Sequence, residues 1–107
     1  MSFPNSRDVV FELEGQIFIW DRNKAEINRK KHGVSFEEAA SVFFIDGAEE
    51  FLDENHSFDE ERFIVIGLSN ELRVLVVVHC KKENETVIRI ISARKATKSE
   101  KNIWMEH

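Results

Sequence analysis

Three apolar segments, each eight residues long and separated by short polar turns, dominate the second half of the chain. They read ERFIVIGL at 61–68, RVLVVVHC at 73–80 and TVIRIISA at 86–93. Valine and isoleucine crowd all three, as a pleated, half-buried surface favours. Ser69-Asn70-Glu71 and the polar stretch 81–84 separate them. Connections this short cannot carry a parallel crossover, so the segments pair as antiparallel hairpins in a meander.

Two helices are predicted upstream. Asp21 is placed to cap a mostly polar helix over 22–32, which Gly33 ends in the left-handed region. Arg29, Lys30 and Lys31 fill its last turn, where the helix dipole favours positive charge. Ser35 and Glu38 then have capping-box spacing, with Val34 and Ala39 placed as a hydrophobic staple. Phe36, Ala39, Ala40 and Phe43 fall at i, i+3, i+4 and i+7 and form one apolar stripe. Asp46-Gly47 stops that helix, and 48–52 reads as a further strand. Thr97 and Glu100 form another capping box, opening a short C-terminal helix with Ile103 and Trp104. Residues 1–15 read as an extension with a short strand-like piece at 9–13, suited to a sheet edge. Residues 17–20 form a strand-like run that ends at Asp21. The expected fold is α+β: two N-terminal helices, an antiparallel three- or four-stranded sheet, and a short C-terminal helix. The helices cover one sheet face and leave the other partly open. Residues 16–107 form a single domain, without repeat or linker.

Composition narrows the class. Hydrophobic residues are 42% and charged residues 33%, with one Pro and four Gly, which excludes collagen-like and wholly disordered chains. Cys80 is the one cysteine, so an intrachain disulfide and a cysteine zinc cluster are both excluded. No apolar run approaches the ~18 residues of a membrane span. The N-terminal stretch carries acids where a secretion signal carries bases. The expectation is a cytoplasmic protein with no membrane association. The net charge of −5 is segregated. Residues 22–32 hold five bases and one acid, residues 33–61 hold ten acids and no base, and residues 62–107 hold nine bases and five acids. Two basic segments flanking an acidic middle give a dipolar molecule with room for a local polyanion groove.

Strand alternation sorts the chemistry. Arg73, Leu75, Val77 and His79 share one face of the middle strand, and Cys80 points to the other. Arg62 shares a face with Ile64 and Ile66, and Arg94 with Ser92. Each cation stands at the end of an apolar row, so several cations and one imidazole are expected to meet at a strand-end rim, with Lys95 and Lys98 just beyond. Metal-free RNA cleavage needs such groups: the 2′-hydroxyl loses a proton, the phosphorane is stabilised, and the 5′-oxygen gains a proton. Arginine suits the second task through bidentate contact with phosphate. His79 or Glu61 suits the proton steps. Trp20 reads either as a base-stacking residue or, more commonly for such a position, as core. His32, His56, His79 and His107 lack ligand spacing, so no metal and no cofactor is expected.

The residues FIWDRNKAEINRKKHGVSFEEAASVF at 18–43, DENHSFDEERFIVIG at 53–67 and RIISARKATKSEK at 89–101 resemble the BrnT toxins of bacterial type II toxin–antitoxin systems. The resemblance implies a RelE-like fold and a ribonuclease that cuts mRNA and arrests growth until an antitoxin binds. It implies a BrnA-like ribbon-helix-helix antitoxin as partner, and a complex that represses its own operon by reaching operator DNA through the antitoxin. Carried residue by residue, it points to Arg62 and Arg94 for phosphate binding and transition-state stabilisation. Trp20, His32, Glu61 and Lys95 stand at matching positions, with His32 also serving as a helix-end residue. His79, Arg73 and Lys98 come from strand alternation and neighbourhood alone. The antitoxin is expected to cover the basic rim, while the acidic stretch from Glu37 to Glu61 either receives its basic residues or keeps the toxin soluble. Two other readings compete: a catalytically inactive, antitoxin-bound co-repressor, and a generic RNA-binding module.

Overall fold

The computed structural model describes residues 7–56 and 60–106, without the His56 side chain. Residues 1–6 of the expected extension, 57–59 of the expected polar loop, and His107 lie outside the described residues. In chain order the elements are β1 (Asp8–Leu13), β2 (Gln16–Asp21), α1 (Arg22–His32), α2 (Phe36–Ser41), β3 (Glu49–Leu52), β4 (Phe63–Leu68), β5 (Val74–Lys82), β6 (Val87–Lys95) and α3 (Lys98–Met105). One 3₁₀ turn, Val42–Phe44, extends α2, and another, Glu54–His56, follows β3.

The strands form one six-stranded sheet in the order β1-β2-β6-β5-β4-β3. The expected order, two N-terminal helices before an antiparallel three- or four-stranded sheet, does not hold. Two strands precede the helices, and the sheet is mixed. The strand-like piece expected at 9–13, suited to a sheet edge, is the edge strand β1, Asp8–Leu13. It pairs antiparallel with β2 across a two-residue turn, Leu13 opposite Gln16. Glu14 and Gly15 in that turn both take positive φ, 49° and 83°, as a tight hairpin loop requires. β2 then lies parallel to β6, Phe18 beside Ile88. That crossover spans five elements, and spacing along the chain carries no trace of it. The β4-β5-β6 meander is antiparallel as expected, with a bulge at Val78/His79 that leaves Ile91 as the extra residue on β6.

One sheet face carries the main core. Phe18, Trp20, Val65, Leu75, Val77, Ile90 and Ala93 meet Val34, Phe36, Ala39, Ala40 and Val42 from the helical side. Each large side chain buried this way stabilises the fold by about 1.5–3 kcal/mol. The expected apolar stripe of α2 is there: Phe36, Ala39 and Ala40 are fully buried, and Phe43 packs on Phe18 at 5.4 Å between ring centres. The helix closes earlier than the stripe, passing into the 3₁₀ turn at Val42. Gly67 on β4 lets this layer approach, because a Cβ there would stand 2.8 Å from Val42 Cγ1 and 3.0 Å from Ala48 Cβ. α3 crosses to the other face, where Ile66 and Val76 are buried near β4.

Candidate nucleic-acid interface

Helix α1 starts where Asp21 accepts a hydrogen bond from the Lys24 N–H, 3.0 Å. It ends at Gly33, φ 69°, whose N–H returns to Arg29 O. The helix follows the edge of β6 that β2 leaves. Asn28, 7% exposed, takes the place of the missing strand. Its Oδ1 accepts from Ala93 N–H at 3.1 Å, and its Nδ2 donates to Ala93 O at 2.8 Å and to Val34 O at 3.0 Å. A side-chain amide offers the donor and acceptor of a peptide group, so it satisfies an edge that would otherwise be buried unpaired.

This seating divides the helix into two stripes, each lining a groove. Lys24, Ile27, Lys31 and His32 face Ile91 and Ser92 across a groove of about 220 Å³, with Asn28 at its floor. Arg22, Asn23, Ala25, Glu26 and Arg29 line a larger groove, about 530 Å³, with Val9, Trp20, Ser35, Phe36 and Glu37. In the larger groove Arg29 is already held by Glu26, at 2.6 Å. The smaller one is bordered by cations alone among its charged residues.

Arg94 lies two residues beyond Ser92 on the same side of β6, about 7 Å further along the strand. Its Nη1 and Nη2 donate to the two carboxylate oxygens of Glu100 at 2.7 and 2.8 Å, and Nη1 also reaches Lys95 O at 3.3 Å. Nε–H and one Nη2–H take no part in these bonds, and the side chain is 41% exposed. Glu100 also completes the capping box of α3, accepting from Thr97 N–H at 2.8 Å. The Arg94 guanidinium and this N–H together pull its carboxyl down to about 2, so it stays a carboxylate at neutral pH. Lys95 and Lys98 are exposed beside it.

The other expected site residues lie elsewhere, and the single rim does not form. In an antiparallel meander the start of one strand and the start of the next are at opposite ends of the sheet. Ile66 pairs with Val76 and Val76 with Arg94. Arg62, four residues before Ile66, therefore begins roughly 16 Å from Arg94. Glu61 is exposed beside Arg62 at that far end. Arg73 lies at the Arg94 end but on the helix-covered face, ion-paired to both oxygens of Glu38, with Nη2 donating to Gly33 O at 3.0 Å. His79 is fully buried between Phe43 and Phe63, ring centres 4.8 and 5.8 Å away. Its Nε2 meets Glu50 Oε1 at 3.0 Å. Burial pushes its pKa below the usual imidazole value, against the opposing pull of Glu50. Trp20 is 2% exposed, packed on Phe11 and Phe36 at 5.6 and 5.7 Å.

Of the expected residues, His32 borders the smaller groove, Arg94 stands two residues beyond Ser92, Lys98 is exposed in the first turn of α3, and Lys95 is exposed at the end of β6 but on the face opposite Arg94. Sequence reasoning missed Lys24, Lys31 and Ser92 as groove residues, and Asn28 as the residue that seats the helix. The signal for the two lysines was available, since residues 24, 27–28 and 31 form an i, i+3/i+4, i+7 stripe. Nothing in the sequence distinguishes Asn28 from a solvated helix residue.

A sequence model of the family described as "Ribonuclease toxin, BrnT, of type II toxin-antitoxin system" matches residues 20–100. The crystal structure of the Brucella abortus ribonuclease toxin BrnT superposes with a TM-score of 0.56 at 25% identity, covering 74% of this chain and 94% of that one. No curated protein matches the chain.

Proposed function

The chain belongs to the BrnT family of ribonuclease toxins of type II toxin–antitoxin systems, and on that footing we propose a metal-independent endoribonuclease that cuts mRNA in the groove between α1 and β6. One observation carries the reading. α1 is bonded edge-on to β6, so Lys24, Lys31 and His32 border a groove with Ile91 and Ser92, and Arg94 stands two residues further along the same face of β6. The lysines attract the backbone of the strand. His32 takes the proton from the 2′-hydroxyl or returns one to the 5′-oxygen. The remaining N–H groups of Arg94 bind the phosphorane oxygens, and Glu100 holds the guanidinium in place by its other edge. Lys95 and Lys98 extend the cationic track. Arg62, with Glu61 beside it, is too far to share that phosphate and serves a flanking one. His79, Arg73 and Trp20 act in this reading as core and framework.

The cutting arrests growth in the cytoplasm until a BrnA-like ribbon-helix-helix antitoxin covers the groove. The complex then represses its own operon, with operator DNA contacted through the antitoxin because the toxin is acidic overall.

A second reading, an antitoxin-bound co-repressor without catalysis, is favoured by one contact: both carboxylate oxygens of Glu100 already occupy the Arg94 fork. The test uses purified protein and end-labelled RNA in excess EDTA. Discrete fragments ending in 2′,3′-cyclic phosphate are expected. Arg94→Ala should lose about 10²–10³-fold in rate, as removal of an oxyanion-type donor does. His32→Ala should lose about 10²–10⁴-fold. Intact RNA with growth arrest on expression would indicate cutting on the ribosome, and intact RNA without arrest would establish the co-repressor.

A further inference from the structure

The sheet has two edges, β1 and β3, and they differ in what they offer. Asp53 N–H donates to Arg62 O at 2.7 Å. Main-chain groups alternate along an antiparallel strand, so Glu49 and Phe51 turn toward β4 with it, while Glu50 and Leu52 turn their N–H and C=O outward. Phe51 and Leu52 are 38% and 44% exposed. Natural edges are blunted by lysine, proline or a bulge. β3 is four residues, EEFL; its two glutamates are its only charges, and it has no proline and no register shift against β4.

The charge around this edge selects the occupant. Residues 33–61 carry ten acids and no base. At the strand itself, residues 49–56 carry Glu49, Glu50, Asp53 and Glu54 and no base, with Lys81 of β5 on Glu50. At β1, Asp8 is held by Arg89 at 3.2 Å and Arg7 lies at the strand's start, while Glu12 and Glu14 are exposed, so that edge is acidic too but carries bases within it.

We propose that β3 is a docking strand for the antitoxin: an extended, Lys- or Arg-bearing segment of it adds, as a seventh strand, to the edge that no described residue pairs with. The outward groups of Glu50 and Leu52 supply the main-chain hydrogen bonds. The acidic surroundings select a basic chain, and exposed Phe51 and Leu52 take its apolar side chains. The inference rests on the toxin–antitoxin reading above, and it places part of the antitoxin on β3, away from the α1–β6 groove.

The test titrates the ¹⁵N-labelled full chain with a blocked peptide of alternating lysine and valine. Amide shifts should centre on residues 49–52, with new exchange protection at Glu50 and Leu52. Raising the salt should weaken the binding, and an alternating glutamate–valine peptide should not bind. Leu52→Pro removes an outward donor that β4 does not use, and should weaken the peptide about tenfold or more. Leu52→Lys, which leaves the backbone donor intact, should also weaken it by like charge. Shifts confined to β1 or to the open sheet face, equal affinity in both variants, or no shift at millimolar peptide would overturn the proposal. Protection that grows with protein concentration alone would overturn it too, showing a second copy as the occupant. RNA cleavage in EDTA, measured on the same samples, reports on the nuclease reading alone, so either can fail while the other stands.

Discussion

Removing the Arg73 guanidinium should unfold the protein more readily rather than disable a nuclease. Glu38 is 3% exposed, and its carboxylate is held by Arg73 through both oxygens and by the Ser69 hydroxyl at 2.6 Å. Burial pushes the Glu38 carboxyl up, but the hydrogen bonds of Arg73 and Ser69 outweigh it and leave the pKa below the ordinary value. Arg73→Ala strands that carboxylate. Breaking a buried pair from one side costs about 3–5 kcal/mol, and the partial exposure of Arg73, 29%, lets water recover some of it, so about 2–3 kcal/mol is expected at pH 7. The assay is urea unfolding from pH 7 down to pH 3. In the native protein the depressed carboxyl contributes stability that is present above its unfolded value near 4.5 and lost as the pH falls through the folded value. In the variant only the Ser69 hydroxyl opposes burial, so the carboxyl titrates higher than in the native protein, and protonation relieves part of the penalty. The difference between the two proteins should therefore be full at pH 7 and shrink as the pH falls through the carboxylate range. Glu38→Gln in the Arg73→Ala background should recover part of the loss. A change under about 0.5 kcal/mol, the size of an ordinary surface substitution, would refute the argument and return Arg73 to the list of RNA contacts.

Glu100→Gln should cost about 1–2 kcal/mol at neutral pH, the partly exposed pair delivering less than its pKa displacement implies. The Glu100 contribution is present above about 4.5 and lost as the pH falls toward about 2, so acid unfolding curves of the variant should lack that limb. His79→Leu should remove a different acid sensitivity. The folded imidazole titrates below its unfolded value of 6.5, so protonation favours the unfolded chain, and native melting temperature should fall below pH 6.5 where the variant's stays level. Asn28→Ala should lower stability by about 3 kcal/mol, because Ala93 N–H, Ala93 O and Val34 O lose their partner together. RNA cleavage should fall in this variant even where denaturant curves show it fully folded. Unchanged cleavage would separate the seating of α1 from the chemistry.

What the sequence made legible is local. Asp21, Gly33 and Thr97–Glu100 cap their helices as their spacing predicts, since a cap is decided within one turn of chain. Ser35 accepts from Glu38 N–H, but the Glu38 side chain turns to Arg73 and Ser69 instead of closing the box. A partner thirty-five residues away outbids one three residues away, and only the fold brings it near. The meander was legible for the same local reason, while β2 beside β6 was not. The faces followed from alternation, but alternation does not say which end of a sheet a residue occupies. For that reason Arg62 and Arg94 were drawn to one rim, and lie on two.

The seating of α1 links stability to the proposed site more tightly than either alone. A parallel strand along all of β6 would have satisfied Ala93 and closed the sheet, at the cost of the groove. A polar helix satisfies the same edge through one side chain, Asn28. Every other residue of its outward stripe is then free to be a cation, and Lys24, Lys31 and His32 line the groove on the sequence's most basic segment. Such a helix has little apolar area of its own to bury, so its position depends on the Asn28 bonds and on its two caps. The basic charge that would draw RNA is thus tolerated because one buried amide does the work that an apolar helix face would do elsewhere.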